Sequence, residues 1–290
     1  MTISKPFFIA EVSSNHHRDL DRCLAFIRVS AEIGCDAVKF QLFKVDQLFA
    51  PEILAKSETH RARKNWELPV SFLPILKQSC DDHGIQFSCT PFYLDAVTEL
   101  EPYVDFYKIA SYELLWDDLL IACAKTNKPV VISAGMATLD EIDHAINTLK
   151  SAGCKKITLL HCVSAYPTPM AECNLAVLGT FRQRYGIQVG WSDHSVQPAV
   201  IRRATTRWLA DCIEFHLDLD EKGDEFAAGH CWLPEQIKPV IAECRDAVII
   251  DGNPDKILAP SEAPDRVWRA DPSDGLRPLK SIRHTFGANT

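Results

Sequence analysis

The sequence predicts an α/β fold, a (β/α)8 TIM barrel with an irregular C-terminal arm. Three observations carry that prediction. Eight short strand-like runs recur within residues 1–250, each followed by a helix-like or loop segment. Amphipathic stretches at 19–33, 70–83 and 139–152 are followed by Gly34, Gly84 and Gly153, as expected at helix C-caps. Polar side chains gather at the carboxyl ends of the runs, where barrels place their sites.

The runs fall at 7–12, 37–42, 86–90, 104–109, 130–133, 157–162, 187–191 and 212–217. The first ends Ala10-Glu11-Val12 and is followed by Asn15-His16-His17. In the second, the side-chain period of two puts Lys39 and Gln41 on one face. The third ends Ser88-Cys89-Thr90, and the fourth continues Lys108-Ile109-Ala110-Ser111-Tyr112-Glu113. The fifth leads from Ser133 into Ala134-Gly135-Met136, and the sixth into Ser164-Ala165-Tyr166-Pro167. The seventh closes on Trp191-Ser192-Asp193-His194. In the eighth, Ile213, Phe215 and Leu217 share one face, while Cys212, Glu214 and His216 share the other. Residues 43–69, polar and charged, read as a long loop over the barrel mouth. Residues 251–290 contain five prolines and little periodicity, and read as an extended arm without a separate core. Arg266, Trp268, Arg269 and Arg283 suit that arm to packing on its own barrel or on a neighbour's.

Composition narrows the function classes. A net charge of −8 and a pI near 5.7 argue against nucleic-acid binding, which favours a basic stripe. The N-terminus lacks a signal peptide's apolar core, and no run approaches a membrane span. The eleven cysteines are odd in number, scattered and without a C-x-x-C pair. They read as free thiols of a cytoplasmic protein.

His194 and His216 stand at the ends of neighbouring runs beside Ser192, Asp193 and Asp218. Each can simply bond a buried backbone group; together they suit a divalent-metal site. Lys39 and Lys108 need counter-charge inside a barrel. Glu11, Glu113 and Asp193 can supply it internally. An anionic ligand held by both lysines with Thr90, Ser111, Ser133, Ser164 and Ser192 is the stronger alternative, because ammonium and hydroxyl groups suit phosphate and carboxylate.

These motifs resemble the barrel domain of the sialic acid (N-acetylneuraminate) synthases. The resemblance runs through Ala10-Glu11-Val-Ser-Ser-Asn15-His16, Ala37-Val-Lys39-Phe-Gln41, Ser88-Cys-Thr90-Pro-Phe92 and Tyr107-Lys108-Ile-Ala-Ser111. It continues through Lys128 to Met136, Leu160 to Pro169, Gly190-Trp-Ser192-Asp-His194 and Glu214-Phe-His216, covering all eight runs. It implies a transferase condensing phosphoenolpyruvate with an N-acyl mannosamine-type sugar to give a nonulosonic acid and phosphate. On that resemblance Glu11, Lys39 and Lys108 are catalytic, and Thr90, Ser111, Ser133, Ser164 and Ser192 surround phosphoenolpyruvate with the lysines. His194 and His216 hold manganese or magnesium, while Gln41, Glu113 and Tyr166 face the sugar.

Three departures accompany the likeness. The family's small antifreeze-like C-terminal domain is expected to be missing after Thr290. Where the family commonly has Gly-Pro-Asp, this chain reads Gly223-Asp224-Glu225, leaving the sugar-binding carboxylate open between Asp224 and Glu225. Ser164 stands where some members carry asparagine. The expected partners are the two small-molecule substrates, neither nucleic acid nor membrane, with self-association into a homodimer. Competing functions are a lysine Schiff-base aldolase on the same barrel, and a non-catalytic sugar-phosphate-binding protein.

Overall fold

The structure, a computed structural model, describes residues 5–286 and divides between Ile249 and Ile250 into two compact units. In the first unit the eight runs form parallel strands in sequence order. They are β1 (Phe7–Glu11), β2 (Ala37–Leu42), β3 (Gln86–Pro91), β4 (Phe106–Ile109), β5 (Val130–Ser133), β6 (Ile157–His161), β7 (Gln188–Asp193) and β8 (Cys212–Leu217). Pairing of β1 with β8, in register from Phe7 with Cys212 to Glu11 with His216, closes the barrel. A ninth strand, β9 (Cys231–Trp232), pairs parallel with the end of β8.

Helices cover the barrel where the sequence supplies stops and starts. Asp19 caps Leu20–Glu32 by accepting from the Asp21 and Arg22 amides, and Thr138 with Glu141 forms a capping box on Leu139–Ser151. The expected glycines follow their helices at positive φ: Gly34 at 94°, Gly84 at 69° and Gly153 at 96°.

The strand faces divide the core in two. One face packs Phe8, Phe40, Phe87, Trp191 and Phe215 against the helices. The other fills the amino-terminal end of the barrel with a small apolar plug of Ile9, Ala37, Phe106, Val131, Leu160 and Cys212. Phe7 meets Phe106 edge-on at 6.1 Å below it. Each fully buried large apolar side chain contributes roughly 1.5–3 kcal/mol. The plug leaves only the carboxyl-terminal end of the barrel free for polar side chains.

Two segments are more ordered than the sequence suggested. Residues 43–69 hold short helices at Val45–Leu48, Pro51–Lys56 and Glu58–Ala62, then a 3-10 turn at Arg63–Trp66. Pro51 pre-sets the first turn of one, and the Ser57 hydroxyl caps the next. These helices are too short to show an amphipathic period. The second unit consists of turns and short helices, including Pro264–Trp268 and Lys280–Arg283, tied by Arg283 to Asp274. Among the described residues no helix is long and apolar enough to cross a membrane, and all eleven cysteines are free and buried.

Strand β7 approaches β8 closely at Gly190, where a Cβ would overlap the carbonyl oxygen of Cys212. Backbone cannot yield there as a side chain can. Gly190→Ala should therefore destabilise the barrel by about 1–3 kcal/mol or more, read as a lowered midpoint in denaturant unfolding.

Candidate active site

The register of β1, β2 and β8 sets one charge beside the next. Glu11 lies opposite Lys39 across one strand pair and opposite His216 across the other, and Ser192 lies opposite Glu214. Glu11, Lys39, Lys108 and Glu214 are each 1–3% exposed. Lys39 is ion-paired with Glu11 and lies 3.9 Å from Glu214. Lys108 donates to Glu214 at 3.0 Å. Glu214 also accepts from the Ser192 hydroxyl at 3.1 Å, and Glu11 from the Gln41 amide at 2.8 Å. Burial alone would lower the Lys39 ammonium, but Glu11 and Glu214 carry it above its ordinary value. Burial likewise opposes ionisation of Glu214, yet Lys108 and Lys39 bring its carboxyl down to about 2. Both lysines are thus held beside carboxylates at the floor of a cavity of about 730 Å3.

Next to the lysines lies a set of hydroxyls with spare capacity. Ser133 and Ser164 have buried hydroxyl oxygens without a hydrogen-bond partner. Ser111 accepts from the Gly135 amide at 3.0 Å and sits 3.2 Å from Cys162 Sγ. A Cβ at Gly135 would overlap Ser164 Oγ and come within 2.9 Å of Ser111 Oγ, so glycine keeps this pocket open. Thr90 accepts from Lys39 at 3.2 Å. Unpartnered buried hydroxyls are costly, and an anion between them and the lysines would satisfy them.

The histidines form a wall of the cavity at the ends of β7 and β8. His194 and His216 lie 5.4 Å apart between ring centroids. His194 Nδ1 is 2.8 Å from the Val163 carbonyl, which can only accept, so Nδ1 carries the proton. Burial, and then His216, push the His194 imidazole down to about 3, keeping Nε2 a lone-pair donor. His216 Nδ1 is 3.1 Å from Glu225 Oε2. Burial would lower this imidazole, but the Glu225 hydrogen bond raises it above its ordinary range. One nitrogen fixed by an oxygen acceptor and the other left over is how metal-binding imidazoles are oriented. This donor set fits a divalent ion.

Glu11, Lys39, Gln41, Thr90, Lys108, Ser111, Glu113, Ser133, Tyr166, Ser192, His194, His216 and Glu225 all line the cavity. Ser164 sits just behind Gly135. Of the two open alternatives, Glu225 accepts from Ser13 Oγ at 2.6 Å inside the cavity, whereas Asp224 is 39% exposed and 3.9 Å from His17. The 43–69 segment lines the rim with Phe49, His60, Arg63 and Trp66. Two residues outside the expected set stand out. Glu214 ties both lysines together, and its place on the His216 face of β8 already signalled it. His230 joins the histidine wall from just before β9, a position with no sequence signal beyond the residue itself.

Comparison with known proteins places the chain among relatives of one family. The model of the NeuB family matches residues 26–256. The chain is 35% identical over 262 residues to an uncharacterised protein of Methanocaldococcus jannaschii, covering 88% of this chain and 75% of that protein. It is 33% identical over 232 residues to the N,N'-diacetyllegionaminic acid synthase of Campylobacter jejuni, covering 76% of this chain and 69% of that one. Among solved structures, the N-acetylneuraminic acid synthetase of Leptospira borgpetersenii, in complex with citrate, superposes with a TM-score of 0.79 at 27% identity, covering 90% of each chain.

Glu113 supplies a pH test of the cavity. Its carboxyl is pushed up to about 7 by burial, with one oxygen lacking a partner. A raised carboxyl binds its proton more tightly folded than unfolded, so stability falls as pH rises from 4.5 towards 7. Glu113→Gln removes that loss. Its stability relative to the parent should improve by about 2 kcal/mol between pH 5.5 and pH 8. A constant difference in unfolding midpoint across that range would show that Glu113 ionises normally.

Proposed function

This chain belongs to the NeuB family, and we propose that it condenses phosphoenolpyruvate with an N-acyl mannosamine-type sugar, giving a nonulosonic acid and phosphate. The observation that supports the reading is that two buried ammonium groups and the unpartnered hydroxyl of Ser133 line one cavity, with the unpartnered hydroxyl of Ser164 behind Gly135 beside it. Ammonium and hydroxyl groups of this kind suit a small anion with phosphate and carboxylate ends.

In the proposed reaction, Lys39, Lys108, Thr90, Ser111, Ser133, Ser164 and Ser192 hold phosphoenolpyruvate in one orientation. Gln41, Glu113, Tyr166 and Glu225 face the sugar; Asp224 lies outside the cavity and has no part. His194 and His216 would hold manganese or magnesium, which would supply Lewis-acid polarisation of the acceptor's aldehyde oxygen. The donor's methylene carbon bonds to the aldehyde carbon, whose C=O electron pair passes to oxygen, and positive charge develops at the donor's second carbon. Glu11, at the cavity floor, stabilises that charge and takes a proton from the water that adds there. The new alkoxide ends with the proton that the adding water releases. The resulting tetrahedral centre expels phosphate by carbon–oxygen cleavage, and its hydroxyl proton leaves with the phosphate as the ketone forms. Holding both substrates together offsets the entropy of bringing them into contact.

The ion pairs weigh against the Schiff-base alternative. A nucleophilic lysine needs a neutral amine, whereas Lys39 is kept charged by Glu11 and Glu214.

Phosphate release from phosphoenolpyruvate, assayed across a panel of N-acyl mannosamines, tests the reading. Release should require an acceptor, stop on chelation and return with manganese. Lys39→Ala and Lys108→Ala should each raise the KM for phosphoenolpyruvate roughly 10- to 150-fold, the loss of a charge-assisted hydrogen bond of about 1.5–3 kcal/mol. Lys155→Ala, at an exposed site, should change nothing. Equal behaviour of all three variants in folded protein would remove the anion pocket from the proposal.

A further inference from the structure

The histidine wall holds more donors than the pair assigned above. His230 is 5% exposed, and its ring lies 4.7 Å from that of His216 and 6.5 Å from that of His194. Glu225 Oε2 sits between two imidazoles, 3.1 Å from His216 Nδ1 and 3.5 Å from His230 Nε2. Cys231 follows directly, and one donor atom from each of His216, Glu225, His230 and Cys231 lies within 4.8 Å of the others. His230 Nδ1 is buried without a partner. Nothing in the proposed condensation uses His230 or Cys231.

We propose that His216, Glu225, His230 and Cys231 form a second metal position, selective for zinc and similar soft-accepting ions. Two imidazoles, a carboxylate and a thiol are a zinc-type donor set, whereas magnesium and manganese favour oxygen. Donors within 4.8 Å of one another need only a small contraction to share one ion. The thiol gives up its proton to solvent as it coordinates, and Asn15, whose amide now contacts Cys231 Sγ at 3.5 Å, is displaced from it. His216 serves this position through the edge facing Glu225, so filling it competes with the His194–His216 pair. The position is thereby a site where zinc inhibits an enzyme working with manganese. That consequence rests on the function proposed above; the binding itself does not.

Isothermal titration of the full-length, metal-stripped chain with zinc alone tests it, with the charge-transfer absorption of bound cobalt as a second readout of thiolate ligation. His230→Ala should weaken zinc at least tenfold, and Cys231→Ser should abolish the cobalt–thiolate band. His194→Ala should keep zinc within a few-fold of the parent. Unfolding midpoints confirm that each variant is folded; His230→Asn replaces His230→Ala, and His194→Asn replaces His194→Ala, where the alanine variant is not. Unchanged zinc affinity in the His230 variant, with loss in His194→Ala, would place the ion on the His194–His216 pair. That result overturns the second position and leaves the proposed function standing. Absence of binding by the parent chain overturns both metal assignments.

Discussion

Two ammonium groups buried on β2 and β4 set the terms for everything around them. Removing a charge from water costs several kcal/mol even after relaxation, so neither Lys39 nor Lys108 can sit there alone. Glu11 and Glu214 answer that demand, and Glu214 answers it twice, lying 3.0 Å from Lys108 and 3.9 Å from Lys39. The two carboxylates balance the two ammonium groups. The hydroxyls of Thr90, Ser111, Ser133 and Ser192 line the same cavity and add no charge of their own. A carboxylate at Ser133 would add a further negative charge to the cavity that Glu11 and Glu214 already line.

The plug beneath the floor gives those charges their strength. Ile9, Phe106, Val131 and Leu160 fill the barrel below the lysines and keep water from entering from the amino-terminal end. Attraction between charges grows as the local dielectric falls, so an apolar layer under the ion pairs strengthens them and any ligand contact they make. One alternating pattern on each strand therefore does two things. Its amino-terminal inward residues build the plug, and its carboxyl-terminal inward residues build the site.

That alternation is why so much was legible in the sequence. A period of two in β8 put Glu214 and His216 on one face, and the same rule in β2 put Lys39 beside Gln41. The eight runs and the helix-ending glycines then gave the barrel, because parallel strands and capped helices follow local rules. Other features obeyed no local rule. The helices of residues 43–69 are too brief to show a period, so charge made them look like loop. Glu214 was seen on the correct face, but its bond to Lys108 spans 106 residues and depends on closure of the barrel. His230 reaches the wall only because β9 pairs with β8, and a two-residue strand carries no pattern. Asp224 and Glu225 are adjacent and alike, so only the path of the backbone could separate them.

The path that separates them is itself held by site-forming chemistry. A loop side chain can serve a site only if its backbone is fixed as firmly as a strand's. Asn15 provides this for Glu225. Its amide donates to the Leu217 carbonyl at 3.0 Å, and its oxygen accepts from the Glu225 amide at 2.9 Å, joining the end of β8 to the returning loop. Gly223 passes so close that a Cβ would overlap Asn15, and its amide bonds Asp218 at 3.2 Å. Arg22 completes the clamp, donating to the Asn15 carbonyl at 2.6 Å and to Asp218 at 2.8 Å. Asn15 and Asp218 thus act at a distance from the cavity: they hold Glu225 where it can fix His216, and His216 where it can meet His194.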